Sequence, residues 1–232
     1  SLISFFRSPQ HVEKGMVLDK KSHPKIWAHV ESIANRIEAR KPDNIVVGLQ
    51  PTFYATSANV KLFGYEDELE GETLFLSLSL MKLFERDELD AVIGHELGHF
   101  KAEDTNYSTK FAPVYSNLGK SIDNLTNTTS AISALAKLPA IFVLSAMYET
   151  FASNIASISR EREFQADIVG CEASSKEGLV YSLAKVVTYS NLWNETLVEN
   201  VNRLNNGRIT ANLSEVFRES SLYNIGNKDV DE

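Results

Sequence analysis

The chain contains the run Ile93-Gly94-His95-Glu96-Leu97-Gly98-His99. On a helix, residues four apart stack on one face, so His95 and His99 can grip one cation while Glu96 projects beside it. Two imidazoles leave a tetrahedral metal short of ligands, because a catalytic zinc site normally has three protein ligands and keeps a fourth position for water. No His follows His99, so a third imidazole would have to come from His11, His23 or His29 upstream. A carboxylate source lies further on, in Ser159-Arg160-Glu161-Arg162-Glu163-Phe164-Gln165-Ala166-Asp167. Glu163 and Asp167 are again four apart and face one way from a second helix, and the small Ala166 allows helices to approach closely. One of these carboxylates can bind the metal while the other accepts a hydrogen bond from a ligand imidazole and fixes its tautomer.

Several elements must position these groups. Ile26, Val30, Ile33, Ala34 and Ile37 recur at helical intervals over residues 23–40, ending in a Lys-Pro-Asp-Asn turn at Lys41 to Asn44. Ile45 to Val47 read as a short strand, and Thr52 to Val60 as an extended segment rich in β-branched and aromatic residues. Leu74, Leu76, Leu78 and Leu80 alternate with Phe75, Ser77, Ser79 and Met81, a period of two that predicts a strand. Either this strand or the segment Thr52 to Val60 is expected to offer a free edge to an extended peptide. Over Phe84 to Lys101 the spacing predicts the helix that carries His95 and His99, with Glu85, Asp87 and Glu88 at its dipole-favoured start. Further helices are expected at Arg160 to Cys171 and Gly178 to Leu204, the latter entered from Ser174 and Ser175 as cap candidates. The tail from Asn205 onward is polar with little periodicity.

Length and composition fit one globular domain over residues 1–232: 43% of residues are hydrophobic and 23% charged. Acidic residues outnumber basic ones, 31 to 23, for a net charge of −8, which argues against nucleic acid as a partner. The single Cys171 excludes an intramolecular disulfide and a Cys-rich zinc site. Between Phe111 and Ser159 the only charged residues are Lys120, Asp123, Lys137 and Glu149. This low-charge excursion, about 111–158, reads as two helices meeting near the Thr/Ser/Asn stretch Asn124 to Ser133. Such an apolar surface needs a core or a partner, and either a buried hairpin or a membrane-touching lobe meets that need. No run of 18 predominantly apolar residues exists. The chain starts Ser-Leu-Ile-Ser-Phe-Phe-Arg without an initiator Met, and is expected to be a soluble portion of a membrane-anchored protein whose anchor is absent from it.

The pairing of His95-Glu96-Leu97-Gly98-His99 with Ser159-Arg160-x-x-Glu163-x-x-Ala166-Asp167 resembles the zinc peptidases that include HtpX and the CAAX prenyl proteases. The likeness spans approximately Ser22 to Gly170, including the Asp-Glu-Leu-Asp lead-in to the first motif. It implies an α+β, mainly helical, zincin-like metalloprotease domain with a small β-sheet beside the zinc helix. It further implies one catalytic Zn2+ held by His95, His99 and Glu163, with Glu96 as catalytic base and with Asp167 and Arg160 acting around the ligands. In that family the segment between the motifs often carries membrane-spanning helices. Here the excursion falls short of spanning length and is interrupted by Lys137 and Glu149.

The expected function is a zinc-dependent endopeptidase that hydrolyses unfolded or membrane-associated polypeptides through a zinc-activated water. A tetrahedral oxyanion would need a further donor, and Arg160, Arg203, Arg208, Tyr181 and Tyr223 are candidates. The alternative is a latent or non-proteolytic zinc-binding chaperone or interaction module.

Overall fold

The computed structural model describes residues 12–101, 116–126 and 131–228. It is α+β and mainly helical, as expected, with two small sheets. Helix α1 (Pro24–Arg36) begins with a proline, whose missing N–H would be unpaired at that position anyway. It buries Trp27, Val30, Ile33 and Ala34, and the Trp27 indole donates to the Leu18 carbonyl at 2.7 Å.

Among the described residues, seven strands follow the chain order β1 (Val12–Glu13), β2 (Met16–Val17), β3 (Asn44–Gly48), β4 (Tyr54–Thr56), β5 (Val60–Leu62), β6 (Glu68–Leu69) and β7 (Thr73–Ser77). One sheet has the order β2-β3-β7-β4 and the other β1-β5-β6. Strands β3 and β7 are parallel, with Val46 opposite Phe75, while β4 runs antiparallel to β7 with Tyr54 opposite Phe75. Alternation then splits the core in two. Ile45, Val47, Leu74 and Leu76 join α1 and the metal-motif helix in the main core. Val46 and Phe75 point the other way, into a smaller core with Val60 and Leu62 of the second sheet.

Covering both faces buries all of Thr73–Ser77. The strand expected to run on to Leu80 stops at Ser77, whose hydroxyl accepts the Leu80 N–H at 3.2 Å and turns the chain into the short α2 (Leu78–Met81). Thr52 to Val60 likewise divides between the two sheets, as β4 and the start of β5.

Helix α3 (Arg86–Lys101) carries the first motif. Its start is fixed by Glu88, whose carboxylate reaches back to the Glu85 N–H at 2.7 Å and pairs with Lys185 at 2.6 Å. The chain is helical again over 116–126, here α4, and from there α5 runs unbroken from Ala131 to Ala173. Helix thus reaches into the Thr/Ser/Asn stretch from both ends, and residues 127–130 of it lie outside the described residues. The second motif is a continuation of the excursion's helix, not a separate element as expected. At 1.5 Å per residue, α5 is about 64 Å long.

Helix α6 (Lys176–Ser190) starts from Ser175, whose hydroxyl accepts the Gly178 N–H at 2.9 Å. A single helix to Leu204 was expected, but α7 (Leu192–Asn205) is separate. Around the break, Ser190 and Asn191 bond the Val186 and Val187 carbonyls through their side chains and compete with the helical ladder. Helix α8 (Leu213–Lys228) lies in the tail whose polarity predicted little structure. Asn212-x-x-Glu215 was the missed signal, because the Asn212 side chain caps the Glu215 N–H at 3.2 Å.

Candidate metal centre

Helix α3 is the central element, packed by α1, α5, α6 and the edge strand β4. It meets α5 antiparallel through small residues: Gly94 lies against Ala173, and Gly98 against Ala166 and Val169. Gly170 of α5 lies against Ala91 and the His95 Cβ. Residues without side-chain bulk let two backbones come close, so that short side chains reach across. Arg36 of α1 fixes the far end of the seam by donating to the Ala173 carbonyl.

The seam brings both motifs together. His95 is buried, and its Nδ1 stands 3.0 Å from Asp167 Oδ1 while its Nε2 stands 3.5 Å from Glu163 Oε2. The His95 and His99 rings meet edge to face with centroids 5.2 Å apart. Donor atoms of His95, His99 and Glu163 all lie within 4.8 Å of one another. A tetrahedral ion with bonds of about 2.1 Å sets its ligand atoms roughly 3.4 Å apart, so this group fits one zinc ion with small side-chain adjustments. Two imidazoles and a carboxylate also suit zinc chemically. Glu163 is 62% exposed, which leaves the α5 side of the centre open to solvent.

Glu96 sits half-buried on the same turn of α3 as the two histidines. Burial and the nearby Glu163 charge push its carboxyl up to about 8, against a smaller lowering by the Ala55 backbone N–H that it accepts. A bound dication would oppose the Glu163 contribution. Ala55 belongs to β4, and this backbone contact to Glu96 is a feature that motif reading did not find. Its sequence signal is weak, since a backbone donor leaves no trace in residue type.

Arg160 lies one turn before Glu163 with its side chain exposed. Of the other proposed oxyanion donors, Arg203 pairs with Glu199 at 3.0 Å. Together with Arg208 it lines a cavity between α7 and α8 that contains no residue of the His95 group. Tyr181 and Tyr223 are exposed on α6 and α8.

The family model of peptidase family M48 matches residues 21–218. The chain belongs to peptidase family M48. That family is one of metallopeptidases. The M48 match spans both motifs and the elements that join them. Among similar proteins, the "Protease HtpX homolog" of Archaeoglobus fulgidus is 30% identical over 166 residues, which cover 68% of this chain and 45% of the relative. Its namesake from Pyrobaculum aerophilum is 28% identical over 197 residues, covering 80% and 52% respectively. The one from Picrophilus torridus is 25% identical over 218 residues, covering 88% and 66%. The chain thus spans about half the length of the first two relatives. No solved structure matches it. Among the described residues, no helix is long and apolar enough to cross a membrane.

Proposed function

We propose that this M48 chain is the catalytic part of a zinc-dependent endopeptidase acting on unfolded or membrane-associated polypeptides. His95, His99 and Glu163 hold the ion, and Glu96 is the general base. The observation that carries the reading is the convergence of those three donor groups beside a half-buried carboxylate. When bound, the cation supplies Lewis acidity that polarises a carbonyl and acidifies water.

The chain's own residues do the rest. Asp167 Oδ1 stands beside the His95 Nδ1, where its charge favours the tautomer with the proton on Nδ1 and leaves Nε2 facing Glu163 and the cation position. Glu96 takes a proton from the attacking water and passes it to the leaving amine, which departs neutral. A carboxyl whose affinity for protons is raised toward neutrality suits both halves of that transfer.

Substrate pairs with β4. Of the two candidate segments, β7 is flanked on both sides, whereas among the described residues β4 has one neighbour in its sheet. The Ala55 N–H turns from β7 toward Glu96, and the alternation of an antiparallel strand turns its C=O outward as well. An extended polypeptide can add there as a further strand, reading backbone more than sequence.

The test is a paired measurement on wild type and Glu96→Gln. Wild type should bind one zinc and degrade an unfolded, fluorogenically labelled casein in a chelator-sensitive way, and the variant should keep the zinc and lose the cleavage. Zinc binding by wild type with no cleavage would move the reading to a zinc-binding interaction module, and cleavage by the variant would remove Glu96 from its role.

Membrane association is proposed for the excursion. Leu138, Phe142, Val143 and Met147 of α5 are exposed, Phe142 by 76%, along a stretch of helix without charge between Lys137 and Glu149. Flotation with anionic liposomes should carry the chain upward, and Phe142→Asp should reduce it; a chain that stays at the bottom in both forms would overturn this part.

A further inference from the structure

Outside the metal centre, Tyr54 of one sheet reaches Glu13 of the other. It opens β4, which is three residues long and has, among the described residues, a single neighbour in its sheet. A ladder that short is a weak hold on an edge strand. The Tyr54 ring stacks on Phe75, its register partner, with centroids 5.0 Å apart and planes 7° from parallel. Phe75 has no room to retreat, because its ring lies over Gly48, where an added Cβ would stand 2.4 Å from Phe75 Cζ.

The Tyr54 hydroxyl enters the smaller core and donates to Glu13, on β1 of the other sheet. Burial and the Glu13 charge hold the phenol well above its usual range, so it remains a donor at any physiological pH. With Tyr54 facing the smaller core, the next residue, Ala55, faces the helices and meets Glu96 through its backbone.

We propose that Tyr54 and Glu13 form a lock between the two sheets that fixes edge strand β4, and with it the Ala55 backbone, in the geometry an extended polypeptide needs beside Glu96. Tyr54 is then a positioning residue. The lock stands on these contacts alone, while its use in substrate binding rests on the protease reading above.

Amide hydrogen exchange and steady-state kinetics test the two halves separately. In Tyr54→Phe the stack remains and the hydroxyl is lost, so exchange over 54–56 should speed up by about tenfold or more, while β3 amides over 44–48 keep their wild-type rates. Glu13→Leu should do the same. Glu13→Gln, which retains an acceptor oxygen, should stay within about threefold of wild type, and the Tyr54→Phe/Glu13→Leu double variant should exchange no faster than either single one. On an unfolded fluorogenic peptide, KM should rise several-fold in Tyr54→Phe with kcat changed by less than about twofold. Unchanged exchange over 54–56, or equal acceleration in β3, would refute the lock. Local loosening with an unchanged KM would refute the positioning role. Absence of turnover in wild type would count against the protease reading, and the exchange pattern would still decide the lock.

Discussion

Gly94 and Ala173 meet so closely that a methyl group built on Gly94 would stand 2.1 Å from the Ala173 Cβ. One turn further along α3, a Cβ on Gly98 would lie 3.2 Å from the Ala166 Cα. Helix axes usually pack 8 to 10 Å apart, according to the side chains between them. Glycine and alanine on both sides bring α3 and α5 toward the near end of that range. Carboxylate side chains are short, and the seam is what lets Glu163 and Asp167 reach His95 at 3.5 and 3.0 Å.

Gly94→Ala should therefore destabilise the protein although it improves helix propensity. The propensity gain is about 1 kcal/mol, whereas forcing a methyl into a packed interface costs roughly 1–3 kcal/mol, and an overlap at 2.1 Å belongs at the upper end. A lower urea midpoint together with weaker zinc retention is expected. Adding Ala173→Gly removes the atom that is struck, and the double variant should recover most of the midpoint. A double variant no better than Gly94→Ala would mean that the seam does not set the helix separation.

Asp167→Ala leaves all three donor groups in place and removes only the partner of His95 Nδ1. Outer partners of ligating histidines typically change metal affinity by about 10–100-fold. Zinc affinity, read by competition with a chromophoric chelator, should fall within that range. The urea midpoint of the zinc-free protein should stay close to wild type, because Asp167 is half-exposed and such a pair is worth little in water. An unchanged affinity would remove Asp167 from the centre.

The convergence of His95, His99, Glu163 and Asp167 was legible in the sequence because a candidate metal site is written in residue types. The helix through His95 was legible for the same reason that it folds, a regular apolar face with acidic residues at its start. What periodicity could not give was the environment of each strand. Leu74 to Leu80 alternate as if one strand face met solvent, yet only Thr73–Ser77 is strand, both its faces are covered, and its alternation sorts Leu74 and Leu76 from Phe75 between two cores. Continuity of α5 was hidden by composition: the motif's charged run and the apolar excursion look like different elements but share one hydrogen-bonded ladder. Helix α8 was missed because its signal is a single cap at Asn212, and the burial of Val216 and Phe217 comes from tertiary packing.

Glu163→Ala should fold and bind little zinc. Its side chain is 62% exposed, so truncation leaves no buried charge behind, and two imidazoles alone complete only half of a tetrahedral shell. Circular dichroism should match wild type, while metal content by mass spectrometry after dialysis should fall well below one zinc per chain. Full retention would mean that the third protein ligand lies elsewhere.

Glu96 makes stability of the zinc-free protein depend on pH in a direction opposite to that of an ordinary paired carboxylate. Its native-state value of about 8 lies above the ordinary 4.5, so the folded chain binds this proton more tightly than the unfolded chain does. The resulting stabilisation is fully present below about pH 4.5 and is lost progressively as pH rises toward 8, with a total on the order of a few kcal/mol. With zinc removed by chelator, the wild-type urea midpoint should drop between pH 5 and pH 8 by more than that of Glu96→Gln, which has no proton to lose. Glu163→Gln should show an intermediate slope, because it removes the neighbouring charge that adds to the burial effect. Parallel profiles for wild type and Glu96→Gln would mean that Glu96 ionises freely in the folded chain, and its fitness for proton transfer near neutrality would then have to come from the bound cation.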